Sequence, residues 1–166
     1  MENLVKKYDF KKLCPLDIRR ERQWKHVEFV LKFFAFSEQY SAEIKGSLDI
    51  YMWKMTDLSL NNEEEFKKVI KEQESDFNNM ISIVKEYIWS FSRPGSDFSS
   101  SQRFEWISIG INRATKDPLY NKEKLQSLKD FVYGEKFIGL TTIKWWANAT
   151  NAFNWRVDAV KDFLCS

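Results

Sequence analysis

The chain has 166 residues with a formal charge of +2, and it is 43% hydrophobic and 16% aromatic, with 14 Phe and 7 Trp. That length fits one domain able to bury a substantial core, and so heavy an aromatic load excludes a disordered chain. Only 5 Gly and 3 Pro leave little turn material, which argues against a sheet built on many tight hairpins and for helices joined by a few loops.

The positive charge is concentrated at the start. Residues 1–26 carry eight Lys or Arg against four Asp or Glu, a net of +4 that leaves about −2 for the rest. A basic segment over residues 1–21 could face phosphate or an acidic partner, although most such runs are solvated helix faces. Pro15 and Asp17 mark a break, with Asp17 a suitable cap. The first long helix is predicted from about Arg22 to Gln39. In it Val27, Val30, Leu31 and Phe34 recur at helical spacing, and Phe29, Phe33 and Phe36 spread the stripe almost around the cylinder. Such a helix belongs at the centre of a bundle.

Gly46-Ser47 opens a short helix through Leu48, Tyr51, Met52 and Met55, with Ser47 as its cap. Asn61 or Asn62 starts the longest one, with Glu63, Glu64 and Glu65 in the turn where the helix dipole favours negative charge. Phe66, Ile70, Phe77, Ile81, Val84 and Ile88 line one face down to Trp89, roughly 28 residues or ~42 Å. Ser92 to Ser101, with Arg93-Pro94-Gly95, reads as a loop. Phe104, Ile107, Ile111 and Ala114 then give an amphipathic helix that Asp117-Pro118 ends. Asn121 caps another through Leu125, Leu128 and Val132, closed by Gly134. After Gly139-Leu140-Thr141-Thr142 the last helix runs from about Asn151, turning Phe153, Val157, Val160 and Leu164 inward. The predicted fold is all-α: an irregular bundle of about five to seven helices in one domain over residues 1–166. There is no strand-like alternation and no repeat.

Standard catalytic equipment is hard to assemble from these residues. His26 is the only histidine, and it reads as a helix-surface residue. Cys14 and Cys165 sit at opposite ends without a CxxC pair, which points to a reducing compartment. No catalytic residue, metal ligand or cofactor loop is assigned. Glu65-Phe66-Lys67 and Glu43-Ile44-Lys45 match the Glu-x-Lys triplet of metal-dependent nucleases, but such triplets are common in charged helices. The seven tryptophans fall at helix ends and faces as bundle packing would place them. Trp145-Trp146, with Lys144 and Arg156, is the one aromatic and basic cluster, read as core or interface anchoring before base stacking. For nucleic acid the best candidates are Arg19, Arg20, Arg22 and Lys25. No run approaches the ~20 apolar residues of a membrane span, and Met1 opens no signal-peptide pattern, so a cytoplasmic protein is expected. Asn148-Ala149-Thr150 is then a chance glycosylation match.

Several segments together resemble a known family. Phe10-Lys11-Lys12-Leu13-Cys14-Pro15-Leu16-Asp17-Ile18-Arg19-Arg20, then Glu28-Phe29-Val30-Leu31-Lys32-Phe33-Phe34-Ala35-Phe36, resemble the helical half of the ParB-like, GmrSD-type restriction family. The likeness continues through Lys45-Gly46-Ser47-Leu48-Asp49, Arg103-Phe104-Glu105, Phe137 to Thr142 and Asn154-Trp155-Arg156-Val157. It rests on the order of several short motifs over most of the chain. That family's Asp-Gly-Gln-Gln-Arg motif, its ParB-like domain and its HNH-type nuclease region are missing here. The resemblance therefore carries over no catalytic residue, and only Arg19, Arg20 and Arg156 as matching arginines. It implies a non-catalytic module of a DNA-defence system that binds a ParB-like subunit, DNA, or both. An inhibitor mimicking a full-length relative and a cryptic metal-dependent nuclease are the alternatives.

Overall fold

The basic N-terminal stretch already folds into two short helices, α1 (Tyr8–Leu13) and α2 (Ile18–Arg22). The computed structural model describes residues 4, 8–38, 47–142 and 149–166, with side chains excepted at 8, 22, 38, 47, 140–142 and 149–151. Asp17 is a cap, as its position predicts, but it caps α2 and not the long helix. Its carboxylate accepts from the Arg20 N–H at 2.9 Å. Trp24 breaks the chain again at a φ of 57°, and α3 (Lys25–Glu38) follows, close to the predicted limits.

The helix expected to be short, α4 (Ser47–Asn61), runs for 15 residues. Asn62 then caps α5 (Glu63–Ile83), accepting from the Glu65 N–H at 3.2 Å, with the three glutamates in the first turn. The rod does continue to Ile88, but through a π-helical turn over Val84–Ile88 that Trp89 closes in the left-handed conformation. A loop with one isolated bridge between Ser92 and Ser99 leads to Ser100, which caps α6 (Ser101–Thr115). Asn121 caps as expected, accepting from the Glu123 N–H at 2.9 Å, although the turn it starts over Lys122–Ser127 is a 3-10 helix. After it come α7 (Leu128–Tyr133), α8 (Glu135–Thr142) and α9 (Ala149–Leu164).

The fold is all-α. Among the described residues there are nine α-helices, more than the five to seven predicted. The surplus is α1, α2 and α8, of 6, 5 and 8 residues. Helices so short show no repeating stripe and depend on packing for their stability, so periodicity cannot announce them. Gly139 to Thr142, read as a break, lies inside α8.

Two helices form the centre. α3 buries Phe29, Val30, Phe33 and Phe34, as its wide stripe predicts. The helix read as amphipathic, α6, is instead buried on every side from Arg103 to Asn112. Arg103, Glu105, Ser108 and Asn112 occupy its polar positions but are buried too. α9 makes its main contact with α6, at a crossing where Gly110 leaves no room for a side chain. No helix among the described residues is long and apolar enough to cross a membrane.

Candidate interaction surfaces

The four basic candidates do not form a free cationic patch. Arg20 is tied inward: its Nε lies 3.3 Å from the Asp17 carboxylate and its Nη1 donates to the Ser99 carbonyl at 3.2 Å. It therefore fastens α2 to the loop before α6. Lys25 bonds to Glu28, which also accepts from Lys32 at 3.0 Å. Lys32 in turn reaches Glu105 on α6 at 2.9 Å, and Ser101 donates to the same carboxylate. Burial pulls the Lys32 ammonium down, but Glu105 and Glu28 outweigh it and leave its pKa above the ordinary value. Burial likewise pushes Glu28 up, yet the two lysines hold it below the usual carboxylate range. This ladder joins α3 to α6. Only Arg19 is exposed with no side-chain partner among the described residues. The Arg22 side chain lies outside the described residues, as do Trp145-Trp146, Lys144 and the Glu43-Ile44-Lys45 triplet.

His26 corrects the sequence reading. It is buried, not on the helix surface, and its Nε2 lies 2.8 Å from the Cys14 carbonyl oxygen. A neutral ring donating from Nε2 satisfies that contact. Cys14 is buried too, and burial pushes its thiol up to about 12 against a hydrogen bond from Ser99. A thiol held so high is no nucleophile at neutral pH, and the histidine engages the backbone of Cys14, so the pair is structural. Burial lowers the His26 pKa from 6.5, only partly offset by the bond to Cys14. The charged ring is thus disfavoured in the folded state while the unfolded chain still binds the proton. Its contribution to stability is complete above pH 6.5 and is lost as pH falls through the depressed native value. Urea unfolding should show a midpoint dropping below that pH, and His26→Gln should flatten the drop. An equal slope in the variant would assign the pH dependence elsewhere.

Arg103 is the other buried cation. Its Nη2 donates to the Val132 carbonyl at 3.0 Å, and its guanidinium sits 4.9 Å from the Tyr133 ring centroid. Burial lowers its pKa, opposed by Tyr133. It pins α6 to α7 through backbone and aromatic contacts. Arg156, the third arginine of the resemblance, lies 4.2 Å over the Trp106 ring and so has a packing role between α9 and α6. Glu65-Phe66-Lys67 lies on the first turns of α5, where Lys67 bonds to Glu63 at 2.7 Å. Two clefts, of about 260 Å³ between α1 and α5 and about 200 Å³ between α4 and α5, bring no reactive groups together. Asp9, the one acid on the first, is paired with Lys85 at 2.9 Å.

The tryptophans depart furthest from expectation. Packing was the predicted role, yet of the five described only Trp106 is buried, while Trp24, Trp53, Trp89 and Trp155 are exposed. Trp24 and Trp89 are also the only non-glycine residues at positive φ among those described, at 57° and 74°. A bulky side chain adopts that backbone only when its surroundings impose it. Lys129 stands 3.4 Å from the Trp89 ring, whereas Trp24 projects between α2 and α3 beside exposed Ile18 and Arg19. On α4, Ile50, Trp53 and Leu60 are 56%, 76% and 78% exposed. Sequence periodicity misses this second row because it registers only that α4 is apolar, and not that it is apolar on two sides.

Taken together, fold and surfaces define an all-α protein with a polar-laced core and large aromatic side chains turned outward. Comparison with protein-family models, curated proteins and solved structures finds no match to this chain.

Proposed function

We propose that the chain is a non-catalytic binding module that docks on a partner protein, working within a DNA-defence or restriction system. The observation that carries the docking role is the exposed apolar row on α4, with Trp53 at its centre. Contiguous exposed apolar side chains mark interaction sites, and tryptophan is among the residues that dominate binding energy. The defence setting is supported by the resemblance alone, which makes a ParB-like subunit the first partner to try.

DNA is the second reading, favoured by Trp24 exposed beside Arg19 at the α2–α3 turn. It is the weaker one, because Arg20 and Lys25 already serve Asp17, Ser99 and Glu28. Tryptophan fluorescence of the purified chain, titrated with a ParB-like subunit and separately with duplex DNA at two salt concentrations, separates the two. A complex with the subunit that Trp53→Ala weakens is the expected outcome, and loss of the subunit's activity on binding would make the module an inhibitor. Binding to DNA alone, steeply salt-dependent and abolished by Arg19→Glu, would replace the docking reading.

A further inference from the structure

At about 3.6 residues per turn, Tyr51, Met55 and Leu58 share the side of α4 that faces the core. Ile50, Trp53 and Leu60 fall on the opposite side, where nothing among the described residues covers them. One apolar face is enough to hold a helix against a core. The outer row therefore has a separate role, and its charges say what fits it. Asp57 interrupts the row between Trp53 and Leu60, and Lys54 flanks it on the same side.

We propose that the occupant is α4 of a second copy of this chain, running antiparallel across a two-fold axis near Met55. The inference rests on the reading of α4 as a docking face and names what docks there. A two-fold interface must be complementary to itself, and this row is. Setting Ile50 against the second copy's Leu60 closes both ends with apolar contacts. The same register places Trp53 beside the second copy's Asp57, where the indole N–H can donate to the carboxylate. Lys54 and Asp57 lie on one flank, so the lysine of each copy meets the aspartate of the other, twice by symmetry. A parallel pairing would instead set Lys54 against Lys54 and Asp57 against Asp57, and like charges oppose it. The seam is short, ~15 Å of helix, so the dimer is a weak one that forms with rising concentration.

Sedimentation velocity on the full chain, from low to high micromolar concentration, should show reversible association. Trp53→Ala should weaken it about thirtyfold, as loss of a central tryptophan does. Lys54→Glu and Asp57→Lys should each weaken it about tenfold at low salt, and the double variant should return to within about threefold of the parent. All three positions are exposed, and thermal melts by circular dichroism verify that each variant folds. A parent chain that stays monomeric throughout overturns the proposal, as does a double variant no better than the singles. In either case, a ParB-like subunit whose binding still depends on Trp53 keeps the docking reading, whereas unchanged binding by Trp53→Ala removes that as well.

Discussion

Phe77→Ala should lower stability by ~3–5 kcal/mol, the cost of truncating a buried phenylalanine. The ring is fully buried on α5 and meets Phe10 at 5.3 Å, Phe33 at 5.3 Å and Phe34 at 6.2 Å, edge to face in each case. One side chain thus joins α1, α3 and α5, and truncation removes both area burial and three aromatic contacts. The cleft of about 260 Å³ lined by Phe10 and Phe77 opens beside it. The new space would connect to that cleft and admit water, which moves the cost toward the lower end of the range. With domains of this size losing ~2–4 °C per kcal/mol, the melting temperature should fall by roughly 10 °C. Urea unfolding of the variant beside Phe77→Leu checks it. A loss below ~1 kcal/mol would mean that α1 does not pack on α5 as described.

Which parts of this core could be read from residues follows from what a pattern can encode. Phe66, Ile70, Phe77, Ile81 and Val84 keep a helical interval over five turns, so α5 is legible nearly to its end. Asn62, Asn121 and Asp17 are legible as caps, because a short polar side chain before an apolar run has one common use. The π-helical turn at Val84–Ile88 adds a residue within a turn without altering the composition, so no interval betrays it. α6 misleads for a different reason. Its arginine, glutamate, serine and asparagine read as a wet face, but Arg103 and Glu105 find partners in Val132, Tyr133, Lys32 and Ser101. Buried polar groups are stable when so partnered, and the partners lie 29 to 73 residues away in the chain.

The interaction surfaces were less legible still. Arg19, Arg20, Arg22 and Lys25 are conspicuous as charges, but whether a charge is free depends on its neighbours. Asp17 and Glu28 lie within three residues of Arg20 and Lys25 and could have warned of the pairing. Ser99, which completes the tie on Arg20, could not. Trp24 and Trp89 carry no sequence mark of their left-handed backbone, since tryptophan is not a residue that position ordinarily selects.

Gly110→Ala is a test in which two effects of opposite sign compete. Alanine favours a helix interior by ~1 kcal/mol over glycine, so on an isolated α6 the substitution would stabilise. In the folded chain the new Cβ would lie 2.6 Å from the Val160 Cβ and 2.8 Å from the Val157 carbonyl oxygen. The second contact is with backbone, so no rotamer change relieves it, and α9 must move away from α6. Overpacking of this kind costs ~1–3 kcal/mol and exceeds the propensity gain except at its lower limit. The net expectation is a loss of ~1–2 kcal/mol in urea unfolding. Adding Val160→Ala removes the side-chain clash but not the one with Val157. The double variant should therefore fall short of additive destabilisation without returning to the parent, a coupling that only residues in contact display. A Gly110→Ala protein more stable than the parent would show that propensity wins, and that α6 and α9 cross with room to spare.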